Sequence, residues 1–206
     1  MMPAQTALRR LREGNARFVA RAAGKSDGAR EVGELQLPQE QAPLAIILGC
    51  SDARVPAEIV FDLGPGDLFV IRVAGNIVAP SQLGSIEFAA SNFGTRLVVV
   101  LGHSRCGAVE ATIGALRNPQ RETSRNLRTI VGFIKPAVEP LLANHDGASE
   151  DELLENSVRA NVFASVRSIQ QQSEILTPLI HNDGLEIVGA EYSLKTGRVD
   201  FFEATK

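Results

Sequence analysis

The stretch Leu97-Val-Val-Val-Leu-Gly-His-Ser-Arg-Cys-Gly107 joins a run of apolar residues to a group of polar ones. An uninterrupted run of Leu and Val that ends at a glycine is typical of a strand buried on both faces of a parallel sheet. Leu44-Ala-Ile-Ile-Leu-Gly-Cys-Ser-Asp-Ala-Arg54 has the same arrangement earlier in the chain. Two such strands, each followed by polar residues, predict an α/β fold.

Helical and strand patterns alternate outward from these two strands. Strand–helix alternation implies right-handed crossovers, so we expect a mostly parallel central sheet with flanking helices, an N-terminal helical arm and a C-terminal antiparallel hairpin around Lys195–Gly197. Pro136 and Pro140 are expected to interrupt the helix that contains them. The predicted strands are 44–48, 68–73, 97–101, 185–192 and 198–202, and the predicted helices are 7–20, 56–60, 81–92, 107–116, 127–141 and 153–169.

Composition narrows the class of protein. The 206 residues are 44% hydrophobic and 22% charged, with a formal net charge of -3, as expected for one globular domain spanning 1–206. We divide it into an arm and linker up to residue 40 and a core over 41–206. The charge provides no basic excess for nucleic acid or an anionic membrane, so a small polar substrate is favoured. Without a long apolar span or a secretory h-region, the sequence predicts a cytoplasmic protein.

Cys50, His103 and Cys106 are the residues most able to bind a metal. The chain has only two cysteines, which excludes a disulfide scaffold. Cys50 follows one predicted strand and His103 and Cys106 follow another, and ligands bind at the carboxyl ends of parallel strands. Two thiolates and an imidazole suit Zn²⁺ with a fourth position open for water or substrate. The alternative, in which each residue simply packs in the core, needs three coincidences.

Asp52 and Arg54 lie beside one of these ligands. A free carboxylate there would compete for the metal, but a guanidinium can hold it in a bidentate pair and keep it ionised. Asp52 would then accept a hydrogen bond from a zinc-bound hydroxide. The alternative is a structural Asp–Arg pair that caps a turn.

Two motifs, Cys-Ser-Asp-Ala-Arg at 50–54 and His-Ser-Arg-Cys-Gly at 103–107, resemble those of the β-class carbonic anhydrases. The similarity extends to the helix at 7–15, to Val-Pro-Ala-Glu at 55–58 and to the segment 67–76. It covers nearly the whole chain, and the two motifs together are highly specific.

The resemblance implies a reaction and a set of roles. Cys50, His103 and Cys106 would bind one Zn²⁺ per subunit, and the Asp52–Arg54 dyad would gate the fourth coordination position, with Asp52 a possible ligand in a closed state. The reaction would be the reversible hydration of carbon dioxide to bicarbonate and a proton. The resemblance also implies a homo-oligomer, a dimer or tetramer, with N-terminal helices lying across the partner.

A substrate pocket completed across the subunit interface is implied as well. Gln41 matches the glutamine of that pocket, Phe69 and Phe88 match its aromatic wall, Ala74 matches a small apolar position, and Gly107 belongs to the same predicted set. Either phenylalanine could instead be a core residue, since both lie in apolar segments.

Some relatives have an inactive state that is stabilised by bicarbonate bound near a Trp, an Arg and a Tyr. Arg72 and Tyr192 match two of these residues, but the chain has no Trp and Ile47 occupies that position. With Gln41 also present, the sequence resembles the subtype that stays open, although a pH-dependent closed state is left as an alternative.

Other functions remain possible at this point. A hydrolase of carbonyl sulfide or carbon disulfide would use the same nucleophile on a similar linear substrate. A non-catalytic zinc protein would need a fourth protein ligand, for which Asp52 is the obvious candidate. A cysteine phosphatase is disfavoured because only three residues separate Cys50 from Arg54, with no glycine-rich anion loop.

Overall fold

A computed structural model describes residues 2–24, 39–120, 124–144 and 149–202. Its centre is a five-stranded sheet in the order β2-β1-β3-β4-β5. The strands are β1 (Ala45–Gly49), β2 (Leu68–Arg72), β3 (Leu97–His103), β4 (Glu186–Tyr192) and β5 (Val199–Phe201). The helices are α1 (Ala4–Ala22), α2 (Ala57–Val60), α3 (Pro80–Asn92), α4 (Gly107–Arg117), α5 (Arg125–Ala143), α6 (Glu150–Gln172) and α7 (Leu176–Asn182). The predicted fold class is therefore confirmed.

The sheet is parallel except at one edge. Strand β1 pairs in parallel with β2 and β3, and β3 pairs in parallel with β4, while β5 runs antiparallel to β4 as the last arm of the predicted hairpin. Gly49 pairs with Leu101, so the carboxyl ends of β1 and β3 lie side by side. Residues that follow these two strands are thus brought to the same edge.

Both faces of the sheet are covered, which explains the uninterrupted apolar runs. Every residue of β1 and β3 is buried. Ile47 and Val99 pack on one face, and Ile46 and Val98 pack on the other in a separate cluster. Because successive side chains of a strand point to opposite faces, a strand between two helical layers must be apolar throughout.

Helix α1 packs on its own chain. Leu11 is fully buried, and Gly14 lies so close to α2 that a Cβ there would be 1.8 Å from the carbonyl oxygen of Phe61. The Asn15 amide donates to the carbonyl of Gly197 at 2.9 Å. These contacts cover the apolar side of α1 within its own chain.

Helix α5 continues through Pro136 and Pro140, so the expectation that they interrupt it was wrong. Both prolines, and Gly132 one turn before Pro136, lie on the exposed side of the helix. Carbonyls that lose their amide partner there can bond water instead. Ile134 and Val138 on the opposite side are fully buried and hold the helix in place.

Some features lie beyond the predictions or outside the described residues. Helix α7 and a 3-10 turn at Ala74–Asn76 were not predicted. Residues 25–38 of the predicted linker lie outside the described ranges. No helix in the described ranges combines the length and apolarity needed to cross a membrane.

Candidate metal centre

Strands β1 and β3 and helix α4 bring three residues close together: Cys50, His103 and Cys106. Cys50 directly follows β1, His103 is the last residue of β3, and Cys106 is the N-cap of α4. Strand β3 is two residues longer than predicted, so His103 stands on the sheet and not in a loop. The adjacency of β1 and β3 confirms that these residues meet at the carboxyl edge.

The segment between His103 and Cys106 is a tight turn tied to the neighbouring hairpin. Arg105 has a left-handed backbone, with φ at +55°, an unusual conformation for a residue other than glycine. The Ser104 amide donates to the carbonyl of Tyr192 at 3.0 Å, and the Ser104 hydroxyl accepts from the amide of Leu194. Strain at a position held on several sides is common at functional sites.

The ligand atoms of Cys50, His103 and Cys106 all lie within 4.8 Å of one another. All three residues are buried, with His103 fully inaccessible. Among the described residues, Cys50, His103 and Cys106 are the one group of histidine, cysteine and carboxylate side chains that lie close enough together to hold a metal ion. A single ion could contact two sulfurs and one nitrogen here.

The His103 ring is oriented for ligation through Nε2. Its Nδ1 lies 3.0 Å from the carbonyl oxygen of Ser104, so Nδ1 carries the hydrogen and donates. Nε2 is buried and has no hydrogen-bond partner among the described residues. A buried, unsatisfied nitrogen costs free energy that a bound metal ion would recover.

The Cys50 and Cys106 side chains are hydrogen-bonded to one another, and this shifts their pKa values in opposite directions. Hydrogen bonding with Cys106 lowers the pKa of Cys50 to about 4, and the same interaction, with burial, raises the pKa of Cys106. The amides of Val109 and Ala108, at the start of α4, act in the opposite direction on Cys106. A dication between the sulfurs would displace the remaining proton.

Asp52 and Arg54 form the predicted dyad beside the cluster. The Arg54 guanidinium donates from Nε to Oδ1 of Asp52 at 2.9 Å and from Nη2 to Oδ2 at 2.7 Å. These hydrogen bonds from Arg54 hold the pKa of Asp52 well below its usual range. Oδ2 lies 3.8 Å from Nε2 of His103, so the ionised carboxylate stands directly beside the ligand cluster.

Arg72 stabilises the segment that carries the dyad. Its Nε donates to the carbonyl of Cys50 at 3.1 Å and its Nη2 to the carbonyl of Asp52 at 2.6 Å. Tyr192 lies on β4, which is three strand positions away from β2 in the sheet. At the usual spacing between strands, the two strand axes are about 14 Å apart. Ile47 is buried within β1. Ile47 and Tyr192 belong to the same buried cluster, and Val70 of β2 packs against it.

Two of the predicted pocket residues adjoin the ligands. Ala74 begins the Ala74–Asn76 turn, and the next amide, that of Gly75, donates to Sγ of Cys50 at 3.4 Å. Gly107 directly follows Cys106 as the first residue of α4. The sequence did not predict this role for Gly75. The only feature in the sequence that could have indicated it is that the residue is a glycine.

Gln41, Phe69 and Phe88 do not reach the ligand cluster of their own chain. Gln41 precedes β1, at the end of the strand opposite Cys50. Phe69 pairs with Ile46 near the start of β1, and its ring lies 6.3 Å from that of Phe88. Phe88 is 52% exposed, so these residues form an accessible group at the edge of the sheet.

Comparison with known proteins places the chain in a family. The carbonic anhydrase family profile matches residues 45–199. Carbonic anhydrase 2 of Mycobacterium tuberculosis is 39% identical over 190 residues, covering 91% of this chain and 87% of that protein. The carbonic anhydrase of Mycolicibacterium smegmatis is also 39% identical, over 191 residues, with 92% and 89% covered.

Comparison with solved structures supports the same family assignment. A tetrameric beta-carbonic anhydrase of Sordaria macrospora superimposes with a TM-score of 0.72 at 26% identity, covering 80% of this chain and 83% of that one. The beta-carbonic anhydrase CafA of Aspergillus fumigatus gives a TM-score of 0.73 at 25% identity, with 98% and 91% covered. The sequence match, the shared fold and the Cys–His–Cys cluster lead to one conclusion: the chain belongs to the β-class carbonic anhydrases.

Proposed function

We propose that the chain catalyses the reversible hydration of carbon dioxide to bicarbonate and a proton, with one Zn²⁺ per subunit held by Cys50, His103 and Cys106. The observation that carries this proposal is the buried three-donor cluster with the ionised Asp52 beside it. Two sulfurs and one imidazole nitrogen form a ligand set that zinc accepts with one position open. Zinc bound there would lower the pKa of water toward about 7 and so supply hydroxide near neutral pH.

Asp52 and Arg54 would select and orient the nucleophile. Because Arg54 keeps Asp52 ionised, the carboxylate can only accept hydrogen bonds at neutral pH. A hydroxyl group that donates to Asp52 turns its lone pair away from the carboxylate and toward the substrate. The bidentate pair also supports an open site, since it holds Asp52 away from the metal, and we propose that this is the resting state.

Gln41, Phe69 and Phe88 would complete the substrate pocket from a second copy of the chain. Their place at the far end of β1 and β2 supports this, since no side chain spans that distance within one subunit. We therefore propose that the active form is a homo-oligomer, at least a dimer. Tetramers occur among the structures that share the fold.

The test pairs metal content with stopped-flow hydration of carbon dioxide. Cys106→Ser is expected to lose zinc and activity together, whereas His181→Ala, which changes an exposed histidine outside the cluster, should retain both. Full activity in a metal-free Cys106→Ser protein would refute the proposal.

The same assay with carbonyl sulfide and carbon disulfide separates the proposed reaction from the hydrolase alternative. Faster turnover of either compound than of carbon dioxide would reassign the substrate.

X-ray absorption on the zinc-loaded protein tests the non-catalytic alternative. That alternative requires Asp52 to be bound to the metal at every pH. We expect instead an oxygen ligand from water at neutral pH.

A further inference from the structure

The Ala74–Asn76 turn presents a backbone amide to one of the metal ligands. Gly75 and Asn76 both have left-handed backbones, with φ at +71° and +43°. This conformation turns the Gly75 amide toward Sγ of Cys50, 3.4 Å away. Left-handed backbone is unfavourable for a residue with a side chain, so contacts from outside the turn must hold it.

Helix α6 supplies those contacts. Asn161 Nδ2 donates to the carbonyl of Gly75 at 2.8 Å, and the Ser165 hydroxyl donates to the carbonyl of Asn76 at 3.0 Å. Asn161 is only 2% exposed and Ser165 only 5%. Both carbonyls of the left-handed pair are thus fixed by side chains one helical turn apart, 86 and 89 residues later in the chain.

The turn has little room to move in any other direction. A Cβ added at Gly75 would lie 2.7 Å from Cδ1 of Ile134 and 3.1 Å from Cβ of Ala108. Helices α4 and α5 therefore close the space around the turn, while α6 provides its hydrogen bonds. The Gly75 amide and carbonyl belong to neighbouring peptide planes that are joined at the Gly75 Cα. Because packing around Gly75 restricts its two backbone dihedrals, a hydrogen bond that fixes the carbonyl also restricts the direction of the amide.

An amide that donates to a thiolate removes negative charge from the sulfur. In a buried site this effect is strong, because the surroundings screen it poorly. It lowers the electron donation from sulfur to a bound metal and fixes the direction of the ligand lone pairs. We propose that Asn161 is a positioning residue for the metal site, acting through the Gly75 amide on the Cys50 thiolate. This inference rests on the proposed zinc ligation.

Asn161→Leu tests the proposal because leucine has a similar shape but no donor. Loss of the hydrogen bond should let the Gly75 amide turn away from Cys50. In the cobalt-substituted protein, we expect the thiolate-to-cobalt charge-transfer band to move to longer wavelength. In the zinc protein, we expect metal affinity to fall about 10-fold, because the loss of a fixed orientation for the Cys50 thiolate outweighs its stronger electron donation.

Two control variants separate positioning from stability. Ser157→Ala changes a buried residue one turn before Asn161 whose hydroxyl has no hydrogen-bond partner among the described residues, so the spectrum should not change. Thr112→Val removes a buried hydrogen bond within α4, that of the Thr112 hydroxyl to the Ala108 carbonyl, which does not involve the turn. An Asn161→Leu protein that loses as much thermal stability as Thr112→Val, yet keeps the wild-type spectrum and affinity, would overturn the proposal.

If Asn161→Leu does not fold, NMR on the unaltered chain tests the contact between the Gly75 amide and Cys50. With NMR-active cadmium in the site, the amide proton of Gly75 should show coupling to the metal through the Cys50 sulfur. A bound metal without that coupling refutes the inference about the turn while leaving zinc ligation intact. Failure to bind any metal refutes the proposed function instead.

Discussion

Replacing Gly102 with alanine is expected to destabilise the protein by about 2 kcal/mol, in the middle of the range for overpacking a core. Gly102 lies in β3, beneath α6. A Cβ at this position would be 2.5 Å from Cγ2 of Val162 and 3.5 Å from Cγ1 of Val158. Val162 is fully buried and cannot swing into solvent. Either α6 or β3 must therefore shift, and β3 carries His103 as its next residue.

Urea denaturation at a fixed protein concentration measures the loss, since the stability of any oligomer depends on protein concentration. Gly84→Ala is the matched control. Gly84 lies in α3, where an added Cβ would meet no atom within 4 Å. Alanine there is expected to stabilise the protein by roughly 0.5–1 kcal/mol, because glycine is unfavourable within a helix.

A double-mutant cycle with Val162→Ala identifies the contact responsible. Val162→Ala alone should destabilise the protein through the cavity it leaves. In the double variant the new methyl group at Gly102 enters that cavity, so the combined loss should be smaller than the sum by about 1 kcal/mol or more. Strict additivity, or a Gly102→Ala protein as stable as the wild type, would refute the packing argument.

Three further predictions concern the dyad, the partner subunit and pH. Asp52→Asn should retain zinc but hydrate carbon dioxide about 100-fold more slowly in stopped-flow assays, because the amide can donate to the nucleophile and orient it wrongly. Gln41→Ala should lower kcat/KM with unchanged metal content, and normal kcat/KM in the oligomer would exclude Gln41 from the pocket. Arg21 and Arg17 lower the pKa of Asp62, so their ion pairs stabilise the fold above the unfolded-state pKa of about 4 and lose effect as pH falls through the lower folded-state value. The stability advantage of wild type over Asp62→Asn in urea should therefore be constant from about pH 8 to 5 and shrink below about pH 4.

The ligand cluster was predictable from the sequence because each part of it is local. Cys50 directly follows one apolar run, and His103 and Cys106 follow another within a few residues. A parallel sheet places the carboxyl ends of neighbouring strands together, so two local patterns were enough to predict a three-dimensional cluster. The same holds for Asp52 and Arg54, which are two residues apart and form their pair within one turn.

The supports of the site could not be predicted in this way, because they depend on how close α6 approaches the sheet. In the sequence, Asn161 and Ser165 look like ordinary polar residues of a helix. Only their contacts with the Ala74–Asn76 turn in the structure give them a role. Gly102 and Gly189 lie on different strands, yet an added Cβ at either would contact Val162 within 3 Å. The two glycines form the depression that lets α6 approach, which no local pattern reveals.

The polarity of β1 supports the proposal that the substrate pocket is shared between subunits. Cys50 follows the carboxyl end of β1, and Gln41 precedes its amino end, where the Leu44 amide still bonds the carbonyl of Asp67. From Ala45 to Cys50 the backbone advances about 16 Å at roughly 3.3 Å per residue, farther than a glutamine side chain extends. A glutamine that contacts substrate at this metal centre must then come from another copy of the chain. Loss of activity on dissociation into monomers, with zinc still bound, is the result that this geometry requires.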